Sequence, residues 1–250
     1  MKICRFLKNG SVNYGVVRDG KIDVTKGLPY DEIVVTGEQE RVESVRLLAP
    51  AEPRSIVAVG LNYRRHAQEL GAGLPEEPVI FSKFTSSVLE PFGEIVKPAA
   101  CKRLDYEAEL AVVIGRQCRG VAKEAAKEYI FGYTCLNDVT ARDLQDMKGQ
   151  WERCKGFDTF TPFGPWVETE LEPGDLRIRA VLNGKTVQDD TTADLIFDVG
   201  TLVEYVSGFM TLYPGDLIST GTPGGIGPME RGDEIKVVIE GIGELVNRVR

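Results

Sequence analysis

Short apolar and β-branched runs, separated by turn-forming pairs, dominate the hydrophobic pattern of this chain. Three alternating runs lie within residues 1–24, and Asn9-Gly10 and Asp19-Gly20 stand between them. Such pairs between alternating runs predict β-hairpins. We therefore expect a three-strand meander at the amino terminus.

The remainder of the chain is also rich in predicted strands. These strands share a continuous or alternating apolar pattern and cover residues 55–60, 78–84, 105–115, 131–138, 176–182 and 231–249. Asn183-Gly184 predicts a further hairpin turn. Apolar positions with helical spacing predict one or two helices over 193–212, and shorter helices are expected at 62–71 and 122–130.

A proline-containing passage separates the two parts. Leu48, Pro50 and Pro53 lie between the meander and the first buried strand of the larger part. We expect a small N-terminal β domain over 1–48, packed on a main domain over 49–250.

Composition narrows the class of protein. The 250 residues are 42% hydrophobic and 27% charged, with a formal net charge of -8, and lack a basic run, so nucleic acid is not expected as a partner. The five scattered cysteines form no C-x-x-C pair, which argues against a disulfide framework or a zinc site. Because the sequence shows neither a signal-peptide core nor an apolar run of about 20 residues, we expect no membrane insertion and a cytoplasmic location.

The strand over 105–115 carries two acidic residues among apolar ones. Glu107 and Glu109 are two positions apart, so on a strand they project from the same face. Asp138 ends the next strand along the chain. Burying these carboxylates without a partner would be costly, and a divalent cation removes that cost.

Three carboxylates without a nearby histidine or cysteine form an oxygen-only site, which favours Mg²⁺, Mn²⁺ or Ca²⁺ over Zn²⁺. The residues alone leave another interpretation open. Glu107 and Glu109 could form the solvent face of an edge strand, with Asp138 in a turn.

The single histidine lies in the short helix predicted over 62–71, for which Asn62 is an expected N-cap. Glu69 follows His66 by three positions, so the two side chains are neighbours on a helix. A carboxylate beside an imidazole orients it as a general base requires. A surface pair without any function is the alternative.

Residues after Asp138 carry further candidates. Thr140 and Asp143 have capping-box spacing, which predicts a helix that begins directly after the third carboxylate. Arg142 and Gln145 would then lie one turn apart near the metal. Lys155, in a glycine-punctuated aromatic loop, could add a positive charge, although its residue type alone favours solvated surface.

A glycine-rich loop over 221–227 lacks the Gly-Lys-Ser/Thr of a P-loop. Its glycines would let the backbone approach a ligand, with the Thr222 hydroxyl available to a carboxylate. A tight turn between two strands explains the same residues.

Taken in order, these motifs resemble the fumarylacetoacetate hydrolase family over about residues 50 to 250. The motifs that carry the resemblance are Asn62-Tyr63-x-x-His66-x-x-Glu69, Asp105-Tyr106-Glu107-x-Glu109, Asn137-Asp138-x-x-x-Arg142-Asp143-x-Gln145, Lys155-Gly156-Phe157-Asp158 and Gly221-Thr222-Pro223-x-Gly225-x-Gly227.

The resemblance implies an α+β fold, a mixed β-sandwich roll with short helices, in a homodimer. It implies Mg²⁺ or Mn²⁺ bound by Glu107, Glu109 and Asp138. His66, Glu69 and Lys155 would be catalytic, and the substrate-binding residues would be Arg142, Gln145 and Thr222.

The implied reaction is hydrolysis of a C–C bond in an acylpyruvate or β-diketo acid. The His66–Glu69 pair would activate water, and the metal would stabilise the pyruvate enolate. Isomerisation of a dienedioate or decarboxylation of an oxaloacetate-type 2-oxo acid would use the same site. A protein that binds a 2-oxo acid without turnover is the hypothesis from another class.

Overall fold

The computed structural model describes residues 1–69, 71, 73–146 and 149–250. The strands, in chain order, are β1 Lys2–Lys8, β2 Ser11–Arg18, β3 Lys21–Lys26, β4 Val34–Arg41, β5 Arg46–Leu48, β6 Ile56–Gly60, β7 Val79–Lys83, β8 Val88–Leu89, β9 Glu94–Ile95, β10 Leu104–Tyr106, β11 Ala108–Ile114, β12 Ile130–Asn137, β13 Thr140–Ala141, β14 Thr161–Glu168, β15 Arg177–Leu182, β16 Lys185–Thr191, β17 Leu217–Ser219, β18 Gly227–Met229, β19 Glu234–Ile239 and β20 Gly243–Val249. The α-helices are α1 Arg64–Glu69, α2 Glu152–Lys155 and α3 Val199–Phe209, and the 3-10 helices are η1 Val42–Ser44, η2 Thr85–Ser87, η3 Lys123–Tyr129, η4 Arg142–Leu144 and η5 Thr192–Asp194.

A large mixed sheet forms the body of the described structure. Its strands run in the order β4-β3-β2-β1-β14-β12-β11-β17-β6-β7, with β5 beside β1 and β8 beside β14. Most neighbours are antiparallel, whereas β17 and β6 are parallel. A second sheet has the order β16-β15-β19-β20-β9, and a small third sheet has the order β13-β10-β18. The fold is α+β with mixed sheets, as the sequence predicts.

Strand β11 is buried on both of its faces. Leu110 and Val112 pack in the core cluster that also contains Ile178 and Val237 of the second sheet. Ala111 and Val113 pack in a separate cluster on the opposite face. This two-sided burial accounts for the continuous apolar run of β11, since alternate side chains of a strand enter different layers.

The amino-terminal meander continues the large sheet. Strand β1 pairs with β14, with Lys2 opposite Glu168 and Ile3 opposite Val167. The meander is therefore joined to the larger part by strand pairing within one sheet. Strands β4 and β5 extend it beyond three strands, and β4 is almost entirely exposed, which explains why it lacks an apolar signal. The domain boundary after residue 48 stays a prediction.

The three predicted hairpin turns are confirmed. Asn9-Gly10, Asp19-Gly20 and Asn183-Gly184 all have positive φ at both residues, as a type I′ turn requires.

The helices are shorter than the periodicity predicts. Helix α3 begins at Val199, after Asp198, whose carboxylate accepts from the Thr201 backbone N–H at 2.9 Å. In the segment predicted over 62–71, α1 covers Arg64–Glu69, and Leu70 lies outside the described residues.

All five cysteines are buried free thiols. Among the described residues, none of the helices has the length and apolar character needed to cross a bilayer.

A buried carboxylate fixes the connection between β6 and β17. Asp216 has no exposed surface, and its Oδ1 accepts from the backbone N–H groups of Arg54 and Ser55 at 2.9 and 2.8 Å. Its Oδ2 accepts from the Tyr213 N–H at 2.8 Å. One side chain thus satisfies three backbone donors beside the parallel pair.

We expect Asp216→Ala to lower the free energy of unfolding by about 3 kcal/mol, because three buried donors lose a charged acceptor. Urea denaturation measures this loss. Asp189→Ala is the matched control, since Asp189 pairs with Arg177 at the surface and its removal should cost about 1 kcal/mol or less. Equal losses in the two variants would contradict the structural role of Asp216.

Candidate active site

Three carboxylates meet where neighbouring strands begin and end. Glu107 precedes β11, Glu109 lies within it, and Asp138 follows β12, which pairs with β11 so that Ala108 faces Asn137. One oxygen atom from each carboxylate lies within 4.8 Å of the others. Glu107, Glu109 and Asp138 are 6%, 1% and 1% exposed, so the solvent-face alternative is wrong.

Lys155 lies among these carboxylates. Its Nζ donates to Glu107 Oε2 at 2.8 Å, to Asp138 Oδ2 at 2.6 Å and to Thr140 Oγ1 at 3.0 Å. The side chain is buried, and the expectation of a solvated lysine from its residue type alone is wrong. Burial alone would lower the pKa of Lys155, but Asp138 and Glu107 raise it above the ordinary lysine value. Lys155 therefore remains a cation in the site.

A second buried lysine, Lys83 at the end of β7, joins the cluster from another side. Its Nζ donates to Asp138 Oδ1 and, at 2.7 Å, to the carbonyl oxygen of Lys155. Burial lowers the pKa of Lys83, and the attraction of Asp138 offsets only part of that effect. Lys83 thus connects a carboxylate of the cluster to the backbone that carries Lys155.

Arg142 completes the set of cations. Its Nε donates to Asp105 Oδ2 at 2.9 Å, its Nη1 to Gln145 Oε1 at 2.6 Å, and its Nη2 to Glu107 Oε1. The predicted proximity of Arg142 and Gln145 is confirmed. The prediction of a capping box and a following helix is wrong, however. Asp143 accepts from the backbone N–H groups of Lys102 and Arg103, and only the short η4 follows.

The surroundings of the two glutamates shift their pKa values in opposite directions. Burial would raise the pKa of Glu107, but Lys155 and Arg142 lower it to about 2. Burial, reinforced by the charges of Asp138 and Glu107, raises the pKa of Glu109 to about 8. The ion pairs explain this difference, since Glu107 and Asp138 are paired with cations whereas the described contacts of Glu109 include no ion pair.

The lack of an ion pair for Glu109 among the described contacts is the observation against which a metal can be tested. The two protein hydrogen bonds described for Glu109, from Ser219 Oγ and from the Gly221 N–H at 2.9 Å, both fall on Oε2. Oε1 is left as a ligand atom. Oxygen donors without sulfur or imidazole suit Mg²⁺ or Mn²⁺, so the residues fit the cation that was predicted.

His66 and Glu69 lie on α1, above the carboxylates. His66 Nδ1 is 3.3 Å from Glu69 Oε2, and His66 is buried whereas the Glu69 side chain is half exposed. The same Oε2 accepts from the Gly225 N–H at 3.1 Å. With φ at +88° and the Val187 carbonyl 2.6 Å from any added Cβ, position 225 requires glycine. The glycine-rich loop thus holds the carboxylate that orients the imidazole.

Thr222 lies in the same loop, but its hydroxyl is engaged. It donates to the Ala108 carbonyl at 3.0 Å and accepts from Gln188 Nε2 at 2.9 Å. Contact between this hydroxyl and a substrate carboxylate would require exchange of the bond to Ala108. A substrate-binding role for Thr222 stays a prediction.

The prediction that Asn62 is the N-cap of the first helix is wrong. It is fully buried, and its side chain accepts from the Phe197 N–H at 2.8 Å while its Nδ2 donates to the carbonyls of Phe197 and Thr220. It joins the start of α1 to two distant loops.

All nine predicted site residues except Glu69 line one cavity of 520 Å³. These are His66, Glu107, Glu109, Asp138, Arg142, Gln145, Lys155 and Thr222. Glu69 reaches the site through His66. The structure brings the residues together, and their individual roles stay predictions.

Residues 55–250 match the family described as fumarylacetoacetate (FAA) hydrolase, C-terminal. The chain belongs to the fumarylacetoacetate hydrolase family. Residues 1–50 match a separate family described as Rv2993c-like, N-terminal.

Similar proteins of this family carry names of different reactions. A solved structure of a 5-carboxymethyl-2-hydroxymuconate delta-isomerase from Mycobacterium smegmatis is 42% identical, with a TM-score of 0.94 over 100% of this chain and 99% of that one. The mitochondrial oxaloacetate tautomerase Fahd2a of Rattus norvegicus is 41% identical over 82% of this chain and 69% of the rat protein. The structure of a maleylpyruvate hydrolase from Sphingobium is 30% identical, with a TM-score of 0.82 over 100% and 99% of the two chains. Fumarylacetoacetate hydrolase relatives thus include isomerases, a tautomerase and hydrolases.

Two residues of the site, Gln188 and Lys83, could not be assigned to it from the sequence. Gln188 is buried at 1% exposure, where it accepts from the Ala108 N–H at 2.9 Å and contacts Thr222, but it lies in the polar strand β16. Lys83 ends an ordinary apolar strand. Their importance depends on strands that meet only in the folded protein.

The raised pKa of Glu109 predicts how the metal-free protein responds to pH. The folded state keeps the Glu109 proton up to about pH 8, whereas the unfolded state loses it near the ordinary glutamate pKa of 4.5. This contribution to stability is present below pH 4.5 and is lost as pH rises to 8. We therefore expect the free energy of unfolding to fall by up to about 1.4 kcal/mol for each unit by which the pH rises in this range.

Urea denaturation in EDTA at several pH values between 5 and 8 checks this prediction. Glu109→Gln, which resembles the protonated side chain, should remove the loss while other titrating groups remain. The same pH dependence in both proteins would contradict the shifted pKa of Glu109.

Proposed function

We propose that this protein is a Mg²⁺- or Mn²⁺-dependent hydrolase that cleaves a C–C bond in acylpyruvates or related β-diketo acids. One observation carries the proposal. An imidazole with an orienting carboxylate and a buried carboxylate triad with its own lysine line the same cavity.

Glu107, Glu109 and Asp138 would hold the cation, which when bound supplies a Lewis acid that polarises the oxygens of a 2-oxo acid. Lys155 adds a fixed positive charge beside the same carboxylates. As the C–C bond breaks, its electron pair remains on the pyruvate fragment, and the buried ammonium offsets the growing negative charge. The low exposure of the site keeps water from screening that attraction.

His66 is the base of the proposed reaction and acts on water. Because Nδ1 faces Glu69, the imidazole presents Nε2 as the proton acceptor. His66 takes a proton from a water molecule as the water oxygen adds to the distal carbonyl carbon of the substrate. Bond cleavage then yields a carboxylic acid, and the pyruvate carbanion takes up one proton. Glu69 orients the imidazole and stabilises its charged form, as the third member of a catalytic triad does.

A second candidate function is isomerisation, tautomerisation or decarboxylation of a dienedioate or oxaloacetate-type 2-oxo acid. The names of the Mycobacterium smegmatis and rat relatives favour it. The same residues would serve, and water would not add. In isomerisation or tautomerisation, His66 would move a proton between two atoms of the substrate. In decarboxylation, the bond to the carboxylate would break, carbon dioxide would leave, and the enolate would take up one proton.

We expect the purified protein to convert acetylpyruvate to pyruvate and acetate, with activity lost in EDTA and restored by Mg²⁺ or Mn²⁺. Coupled detection of pyruvate together with detection of acetate measures the reaction. Carbon dioxide release from oxaloacetate, or an ultraviolet change without new carboxylic acid, would support the second candidate. Tight binding of 2-oxo acids without any product would identify a binding protein, and turnover unaffected by EDTA would contradict the metal.

Replacement of His66 tests the base. We expect His66→Ala to lower kcat for hydrolysis by about 10²- to 10⁴-fold. The affinity for Mg²⁺ should be unchanged, because His66 is not among the three carboxylates that would bind it. Gln68→Ala is the control, since Gln68 lies on the same helix and is exposed. Full activity in His66→Ala would exclude the imidazole as the base.

A further inference from the structure

The cavity has two chemically distinct regions. The carboxylates and Lys155 form a charged floor, whereas the rest of its lining is largely apolar. We call the apolar part of the lining the wall, and its residues are Val59, Leu61, Val79, Phe81, Trp151 and Ile226. A substrate whose 2-oxo acid end lies at the floor must extend its acyl group along this wall.

Trp151 is the largest side chain of the wall, and a glycine makes room for it. A Cβ at Gly60 would lie 2.4 Å from Trp151 Cζ3, so the indole rests directly on the backbone at the end of β6. The other ring contact is with Phe81, at 5.2 Å between centroids in an edge-on arrangement. Trp151 Nε1 donates to the Asp146 carbonyl at 3.1 Å. The indole is therefore held in one orientation by three contacts.

Phe81 connects the floor to this indole. Lys155 Nζ lies 5.1 Å from the Phe81 ring centroid, and the Trp151 ring lies 5.2 Å from the same ring. Phe81 thus contacts both the ammonium of the floor and the indole, and offers an apolar path from one to the other. An acyl group that follows this path from Lys155 would reach Trp151 with its distal part.

Among the lining residues that the structure describes, the wall offers no free counter-charge for a second carboxylate. Lys155 and Arg142 are the lysine and arginine side chains among the described lining residues. Lys155 is bound to Glu107 and Asp138, and Arg142 to Asp105, Glu107 and Gln145. A carboxylate at the far end of the acyl group would lose its hydration without gaining a partner there.

We propose that Trp151, seated on Gly60, sets the acyl specificity of the site and selects uncharged alkyl or aryl acyl groups over those that end in a carboxylate. This inference rests on the proposed function, because it identifies the substrate class of that site. Two other nearby residues are unsuited to the role, since Lys83 is buried in its ion pair with Asp138 and Phe84 is half exposed and does not line the cavity.

Two acylpyruvates of equal length test the selection. Hexanoylpyruvate ends in a methyl group, whereas adipoylpyruvate carries a carboxylate in its place. We expect kcat/KM to favour hexanoylpyruvate by about 10-fold or more, as an unpaired charge is rejected more strongly than a change of size.

Trp151→Ala should lower kcat/KM for hexanoylpyruvate by about 10- to 100-fold and that for acetylpyruvate by less than about 3-fold, because only the longer acyl group reaches the indole. Trp151→Phe should retain most of the preference. Gly60→Ala leaves residue 151 unchanged but displaces its ring, so it should reproduce the loss for hexanoylpyruvate.

Trp166 provides the matched control. The chain has two tryptophans, and Trp166 donates to the Ile242 carbonyl at 2.7 Å and does not line the cavity. Trp166→Phe should leave the ratio between the two substrates unchanged. In this variant Trp151 is the single tryptophan, and its fluorescence reports occupation of the wall.

Binding separates this inference from the proposed function. With Mg²⁺ present, fluorescence titration of Trp166→Phe should give at least about 10-fold tighter binding for 2-oxooctanoate than for 2-oxooctanedioate, neither of which is an acylpyruvate. Equal or reversed affinities overturn the specificity assignment even if acetylpyruvate is hydrolysed. The expected affinities without hydrolysis of any acylpyruvate support the wall and overturn only the proposed reaction.

Discussion

Burial of negative charge is the constraint on which the rest of this structure depends. Glu107, Glu109 and Asp138 lie within 4.8 Å of one another with almost no exposed surface, in a position that is unfavourable without positive charge nearby. Lys155 and Arg142 compensate Glu107 so well that its pKa falls to about 2, while that of Glu109 rises to about 8. Glu109, which has no ion pair among the described contacts, is therefore the reason why the cluster suits a further cation.

The compensating cations also assemble the site. Lys83 ends β7, Arg142 opens η4, and Lys155 ends α2, so three separate segments reach the strands β11 and β12 through ion pairs. The core holds the carboxylates in place, since both faces of β11 are packed. Removal of one cation would therefore leave a buried carboxylate with one ion-pair partner instead of two and also release a segment of the cavity lining. In this site stability and chemistry depend on the same contacts.

Much of this arrangement can be derived from the sequence, and the parts that cannot share a physical reason. Alternation predicts the strands and their hairpins, and the order of the motifs identifies the fumarylacetoacetate hydrolase family. The surroundings of Lys155, Lys83 and Gln188 could not be derived in this way, because their partners are 15 to 80 residues away along the chain. The capping signals at Asn62 and at Thr140 with Asp143 misled for a related reason. The side chains of Asn62 and Asp143 bind backbone groups that are distant in the sequence, and Thr140 accepts from Lys155.

Similar proteins are named for different reactions, and the proposed chemistry accommodates this because the charged floor would determine only its first half. With a cation bound, the floor and Lys155 would stabilise negative charge next to a 2-oxo acid whichever bond supplied the electrons. The second half would depend on whether His66 meets water or a substrate carbon, and therefore on where the distal part of the substrate lies. Because the apolar wall and His66 line the same cavity, a distal group packed on the wall would also determine how much space is left for water beside the imidazole. In this proposal, reaction type and acyl specificity depend on the same apolar surface.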